Sequence, residues 1–303
     1  MAYLTIFSAP KSFSDPHIAT IQRNAIRSWR ELGADVDVIL VGEEEGLAEA
    51  ARDLGVTHIS QVSRNEHGTP LVSSIFTAAR ENSSSALLGY VNADILLLPD
   101  LLPAIRYMAE MVKEFILVGQ RWDLDVWEVL DFSDGWATRL RHDINSHGKL
   151  HPPAGSDYFI FPRSCYQDIP DFAIGRAGWD NWMIYQARKQ GWLAVDATRV
   201  ITIVHQGHDY AHLPEGKTHR RVPETDENIR LAGGREITRF SLVDADRRLV
   251  TGLQIDRKWE MATLRRVIET YPLLAWNNYG MTSQITAFFH RLKYKLGKSK
   301  ENK

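Results

Sequence analysis

The chain has 303 residues, enough for one large domain or two modest ones. Hydrophobic residues make up 44% and charged residues 24%, the balance of an ordinary soluble globular enzyme. A formal net charge of -2 gives no global attraction to nucleic acid, so a nucleic-acid partner is not expected. The lone cysteine, Cys165, excludes an intramolecular disulfide and a Cys-type zinc site, and reads as an inert small core residue. The first seven residues lack the basic region and long apolar core of a signal peptide. No run reaches the roughly 18 apolar residues of a spanning helix, so the expected compartment is the cytoplasm.

Residues 4–9 read as a short apolar strand ending at Pro10, and Asp15 caps a helix that opens at Pro16. In that helix Ile18, Ile21, Ala25, Ile26, Trp29 and Leu32 recur at helical spacing up to Gly33. Residues 36–41 form a second strand, 43–54 a helix with an acidic first turn, and 58–62 a weaker third strand. Thr69 is placed as the cap of a helix over 70–80. Residues 87–98 follow as a buried strand carrying Asn92 and Asp94. Strands alternating with helices predict an α/β fold with a mostly parallel sheet covered on both faces. In such sheets ligands bind beyond the carboxyl ends of the strands. Residues 10–15, 65–69 and 92–94 all fall at that edge.

Further along, helices are predicted over 101–113 and 136–147, and strands over 115–118 and 157–161. A glycine-punctuated loop at 173–178 leads into a helix that begins at Trp179. Strands over 192–195 and 200–204 precede the polar run His205, His208, Asp209 and His212. Residues 213–235 read as a long polar loop or lid, and 240–250 as a hairpin around Asp244 and Asp246. Two units are expected: a main domain over 1–255 and a helical tail over 256–303. In the tail, Ile285, Phe288, Phe289, Leu292 and Leu296 share a helical face beside Arg291, Lys293, Lys295 and Lys298. Such a helix either lies on an anionic membrane, here the inner face of the cytoplasmic membrane, or docks on the domain with its basic end solvated.

Three constellations could carry chemistry. Asn92 and Asp94, two residues apart on an extended backbone, would point the same way and seat Mg2+ or Mn2+, with His205 as a further ligand. Alternatively they close a strand-end turn by accepting from backbone amides. Asp180, in the first turn of its helix, is either a simple cap or a general base desolvated by Trp179 and Trp182, whose rings would stack on a sugar. Arg121, at a strand end, would neutralise a phosphate or else form a surface ion pair. Gly155, Ser156 and Asp157 would contact an acceptor or simply enter a strand. There is no glycine-rich phosphate loop, no Gly-x-Gly-x-x-Gly and no Gly-x-Ser-x-Gly.

With Asn92-Ala93-Asp94, Gly178-Trp179-Asp180 and His205, the chain resembles nucleotide-sugar-dependent glycosyltransferases of the GT-A fold. The segments 22–29, 155–159 and 204–206 resemble a group of uncharacterised bacterial and plant glycosyltransferase-like proteins. The resemblance covers about residues 1–250. It implies a Rossmann-like three-layer fold and transfer of a sugar from a nucleoside-diphosphate donor to a hydroxyl of a glycan, lipid-linked or other acceptor. It further implies that Ser8, Ala9, Pro10, Asn65, Thr69 and Ser73 hold the nucleotide, with Asn92 and Arg121 near the diphosphate. Asp94, Asn92 and His205 would hold Mn2+ or Mg2+. Asp180 would be the base of an inverting reaction. Two departures stand out: Asn92 replaces the first aspartate of the Asp-x-Asp pattern, and Asn181 follows the lone Asp180. A nucleotidyltransferase that makes nucleotide-sugars and a non-catalytic sugar-binding protein are the competing readings.

Overall fold

A computed structural model describes residues 2–207, 222–258 and 261–275. The first half alternates as expected: β1 (Leu4–Ser8), α1 (Pro16–Arg30), β2 (Val36–Val41), α2 (Leu47–Leu54), β3 (Thr57–Ile59), α3 (Val72–Glu81) and β4 (Leu87–Val91). Then come β5 (Ile95–Leu97), α4 (Leu101–Met111), β6 (Phe115–Val118), β7 (Trp122–Leu124), α5 (Trp136–His147), β8 (Lys149–Leu150) and β9 (Tyr158–Pro162). The chain continues with α6 (Trp179–Gln190), β10 (Leu193–Asp196), β11 (Ile203–Gln206), α7 (Pro223–Leu231), β12 (Arg247–Val250), β13 (Gln254–Arg257) and α8 (Met261–Ala275).

Nine strands form one sheet in the order β13-β12-β10-β6-β9-β4-β1-β2-β3. It is mostly parallel; β9 runs antiparallel between β4 and β6, and β13 antiparallel to β12. Side chains alternate across each strand, so the two faces bury different sets. One face packs Phe7, Tyr90, Phe159 and Phe161 against α3 and α6. The other packs Ile6, Leu40, Val91 and Ile160 against α1, α2 and α4. The result is the three-layer α/β architecture predicted. Among the described residues no helix is long and apolar enough to cross a membrane.

The expected strand over 87–98 is broken. The chain turns at Asn92–Asp94, and β5 joins a second, four-stranded sheet in the order β5-β11-β7-β8. Asn92 and Asp94 therefore stand on a reversal between sheets rather than side by side on one strand. The acidic stretch 43–45 is not helical: Gly46, at φ +77°, starts α2 late, and Glu44 is held by Arg64 instead. Thr69 is not a cap. Pro70 and Leu71 are bridged in extended form to Arg64 and Ala173, which delays α3 to Val72.

Within the expected lid, residues 223–231 form α7, opened by Pro223. The expected hairpin shifts onto β12 and β13, because Ser241 and Asp244 close a capping box into a short 3-10 turn. Residue 255 lies inside β13, and Leu273 of α8 is buried with Met183, Ile184 and Tyr185 of α6. His208, Asp209, His212 and the basic stretch 276–303 lie outside the described residues.

Candidate functional site

The small sheet assembles the first part of the site. β11 pairs antiparallel with β5, setting His205 opposite Ile95, and parallel with β7, setting His205 opposite Asp123. Asp94 immediately precedes Ile95, so the imidazole lies between two carboxylates. His205 Nε2 is 3.7 Å from Asp94 Oδ2, and Nδ1 is 3.5 Å from Asp123 Oδ1. Both separations are longer than ordinary hydrogen bonds, and they are ion pairs only when the imidazole is protonated. His205 belongs to the strand itself rather than to the loop after it, and is largely buried.

Asp123 is heavily engaged. Its Oδ2 meets His151 Nδ1 at 2.8 Å, and its Oδ1 accepts from Arg121 Nε at 2.9 Å. Burial works to raise its pKa, but the His151 hydrogen bond and the Arg121 guanidinium prevail and hold it below the usual carboxylate range. Arg121 also donates through Nη1 to both oxygens of Asp157, at 2.9 and 2.8 Å. Burial would lower the Arg121 pKa, yet the two carboxylates raise it further. Arg121 is thus the hub of a buried pairing, not a surface ion pair.

Replacing Arg121 by methionine leaves Asp157 with a single cross-link, from Asn92. Breaking a buried pair costs about 3–5 kcal/mol. Urea unfolding of Arg121→Met should show a loss near the lower bound, about 3 kcal/mol. A loss under about 1 kcal/mol would mean that the pair is effectively solvated.

Asn92 donates from Nδ2 to Asp157 Oδ1 at 2.9 Å, and its Oδ1 accepts from Tyr90 OH at 3.0 Å. Its backbone N–H bonds Asp157 O at 2.8 Å. Both ends of the amide are engaged, so Asn92 ties the β4 turn to the start of β9, and a metal ion there would share its amide oxygen with Tyr90. Asp157 lies at the strand-end edge because β9 runs antiparallel, with Tyr158 opposite Val91.

Asp180 sits in the first turn of α6, entered through Gly178 at φ +112°, where an added Cβ would press on Thr238 at 3.1 Å. Its Oδ1 accepts from Gly178 N at 3.3 Å. Burial raises its pKa against the pull of the Asn181 and Gly178 amides, and the negative charge of Asp157 adds to the rise. The residue keeps partial solvent access although protein packs closely around it. A carboxylate held by backbone amides with a raised proton affinity is suited to accept a proton.

The two tryptophans beside it do not offer open faces. Trp179 is 5% exposed and meets Tyr90 and Phe159 edge-on, at 5.0 and 5.5 Å. Trp182 is 6% exposed and packs on Phe172 and Tyr166. Positions three apart on a helix share a face, and here that face is the core. Their expected sugar-stacking role is corrected to packing.

Ser8 ends β1, fully buried, and its Oγ has no hydrogen-bond partner among the described residues. Ala9 and Pro10 follow at the same edge. Lys11 is then clamped through its backbone N–H and C=O by Gln22, at 2.7 and 3.0 Å. Burial lowers the Lys11 pKa while the charge of Asp94 resists, which places this ammonium beside the site.

Asn65, Thr69 and Ser73 belong to a different cluster. Asn65 closes its own turn through the amides of His67 and Thr69 and donates to Glu224 of α7 at 2.7 Å. Glu224 also binds Arg176, and Ser73 donates to Asp171 at 2.6 Å. Gly155 is open at φ +79°, and Ser156 is buried next to Asp157. Away from both clusters, a cavity of about 330 Å³ lies between Arg188, Asp244, Asp246 and Arg266, whose charges pair with one another.

Among the described residues no three His, Cys, Asp or Glu side chains form a ready metal cage. The Asp94–His205 pair nevertheless fits half of one. An oxygen and an imidazole nitrogen 3.7 Å apart can share one ion at bond lengths of about 2.1 Å. Mg2+ commonly takes only one or two carboxylates and fills its shell with phosphate oxygens and water. Asp123 behind His205 supplies the outer carboxylate that such imidazoles usually have.

Asp123, Lys11, His151 and Tyr90 are the residues near the site that the sequence does not single out. A carboxylate one turnover of strand from Arg121 was the only local signal; the register that joins it to His205 is not local.

No protein-family model and no curated protein matches the chain. Among solved structures it is similar to a glucosyl-3-phosphoglycerate synthase from Mycobacterium tuberculosis in complex with Mn2+, UDP and phosphoglyceric acid. That match has 14% identity and a TM-score of 0.46, covering 77% of this chain and 79% of that one. A mannosyltransferase from Pyrobaculum calidifontis with GDP-Man and Mn2+ is similar at 12% identity and a TM-score of 0.44, covering 94% and 84%. Likeness at this level does not define an activity, which has to be judged from the side chains.

Proposed function

We propose that this chain transfers a sugar from a nucleoside-diphosphate donor to an acceptor hydroxyl, with inversion, and that Asp180 is the general base. One observation carries the reading. A continuous run of polar contacts leads from Asp94 through His205, Asp123 and Arg121 to Asp157, whose charge acts on Asp180. A cation-binding pair at one end and a proton acceptor at the other are the two functions that the transfer needs.

In the proposed reaction Asp180 takes the acceptor O–H proton as that oxygen bonds to the anomeric carbon. The bond from the anomeric carbon to the diphosphate oxygen breaks, and the diphosphate leaves with the electron pair. Asp94 and His205 would hold a divalent cation, which when bound neutralises charge on the departing diphosphate. Lys11 adds positive charge on the same side. Arg121 is already matched by two carboxylates, so its task is to fix Asp157 and Asp123 rather than to bind phosphate. Trp179 and Tyr90 keep the wall behind Asp180 dry.

Titration calorimetry with UDP and GDP, with and without Mn2+, tests the donor half. Mn2+-dependent binding supports the transferase. Saccharide binding without nucleotide binding favours a non-catalytic sugar-binding protein. Binding of nucleoside triphosphates with sugar 1-phosphates favours nucleotidyl transfer.

Asp123 acts here through His205. A carboxylate on the Nδ1 side favours the tautomer with its proton there, which would leave Nε2 to ligate a cation shared with Asp94. Asp123→Asn should therefore weaken Mn2+ binding in the presence of UDP by about 10–100-fold, read by electron paramagnetic resonance of free Mn2+. Unchanged Mn2+ affinity would remove Asp123 from this role.

A further inference from the structure

Trp127 follows β7 and is 67% exposed, and its neighbour Val129 is 71% exposed. Leaving an indole in water forgoes a large burial energy, so its surroundings bear on its purpose. The segment is not loosely held. Asn24 of α1, itself 2% exposed, donates to Glu128 O and accepts from Leu130 N, each at 2.9 Å. Asn24 also donates to Gln206 of β11 at 3.1 Å, and Gln206 in turn donates to Ile21 O at 2.8 Å. A buried amide thus fastens the backbone on both sides of Val129, while Val126 is turned inward.

The ring itself is also positioned. His17 stacks on Trp127 with centroids 4.4 Å apart and planes 22° from parallel. His17 is anchored by Nε2 to Gly207 O at 3.1 Å. Gly207 is in turn pressed by Asp125, whose Oδ1 would lie 2.4 Å from an added Cβ. One face of the indole is covered by His17, which leaves the other for a ligand.

Location and charge narrow the ligand. Trp127 is four residues beyond Asp123, so their Cα atoms are at most about 14 Å apart. From 122 to 135 the chain carries Asp123, Asp125, Glu128, Asp131 and Asp134 and no Lys or Arg. Arg139 and Arg27 offset the charge at its Asp131 end, and the stretch around Trp127 stays acidic, which disfavours anionic membranes and nucleic acid there. Asp125 and Glu128, which flank it in the sequence, are exposed as well. A flat aromatic face beside carboxylates matches a neutral polyhydroxylated ring, whose C–H face packs on the indole while its hydroxyls donate to the acids.

We infer that Trp127, backed by His17 and flanked by Asp125 and Glu128, is a platform for a pyranose ring of the acceptor, which is therefore an oligosaccharide or glycan. This inference rests on the transferase reading for the word acceptor; the carbohydrate site itself does not.

The test uses the full chain labelled with 5-fluorotryptophan, the Trp127 19F resonance being assigned with Trp127→Phe. Maltotriose, cellotriose, chitotriose and mannotriose are titrated separately, and 3:1 phosphatidylcholine:phosphatidylglycerol vesicles in parallel. A saturable shift of the Trp127 signal with at least one trisaccharide, together with an affinity for that trisaccharide that titration calorimetry finds about tenfold or more weaker in Trp127→Ala, supports the site. No shift with any of the four, a shift with vesicles only, or unchanged saccharide affinity in Trp127→Ala overturns it. Calorimetry with UDP and Mn2+ on the same samples separates the two claims. Saccharide binding without UDP binding would retain the platform and dismiss the transferase.

Discussion

Asp180→Asn is expected to lower sugar transfer about a thousandfold while nucleotide binding stays unchanged. The substitution keeps the shape of the side chain and an oxygen for the Gly178 amide, so α6 should start as before. It removes only the ability to accept a proton. The measurement is single-turnover transfer with the nucleotide-sugar that binds in calorimetry. Turnover within tenfold of the unaltered protein would take Asp180 out of the base role.

The same variant has a pH signature. Burial raises the Asp180 pKa in the folded state, so folding favours its protonated form. Its contribution to stability is greatest below the unfolded value of about 3.9 and is lost as pH rises through the folded pKa. Asparagine carries no such penalty. Thermal unfolding of Asp180→Asn should therefore occur at a higher temperature than the unaltered protein at pH 7.5, with the gap closing toward pH 4. A constant gap across that range would mean that the carboxylate is not desolvated.

The second large effect is expected at Asp94. Removing its carboxylate takes one of two donors from the proposed cation pair and leaves His205 alone. Asp94→Ala should weaken UDP binding in Mn2+ about 100-fold, consistent with the loss of a charged ligand. Binding without Mn2+ should change little or improve, since the lost group is an anion near a phosphate. Equal affinity with and without the carboxylate, both measured in Mn2+, would dismiss the cation site.

Much of the scaffold was legible because it is local. Asp15 followed by Pro16 and an apolar stripe specifies α1, and Asp15 indeed accepts from Ile18 N. Residues 115–118 and 136–147 coincide with β6 and α5 because glycine, or a charged run, bounds each apolar pattern. The break after Val91 was not legible. Ile95–Leu97 is as buried as Leu87–Val91, so hydrophobicity cannot tell that the two lie in separate sheets.

The site divides in the same way. Asp94, His205 and Asp180 were identifiable as polar groups at strand and helix ends. The hydrogen bonds of Asn92 to Tyr90 and Asp157 were not, because they depend on the pairing of β4 with β9. Sequence proximity to Asp180 pointed to Trp179 and Trp182, whereas helix geometry turns them inward. What makes Trp127 notable, a buried amide 103 positions earlier in the chain fastening its loop, has no local trace.

The reversal at 92–94 has a wider consequence. It is a short connector between two separately hydrogen-bonded sheets, one bearing His205 and Asp123 and the other leading through β9 to Asp157. The distance over which a donor and an acceptor can be brought together is thereby set by three residues of backbone. Insertions elsewhere on the surface could alter what is recognised, but a change of length at this hinge would shift one half of the chemistry relative to the other while leaving both cores intact. On the proposed reading, diversification of such a scaffold is channelled into its outer loops, and the length of this connector is the part least free to vary.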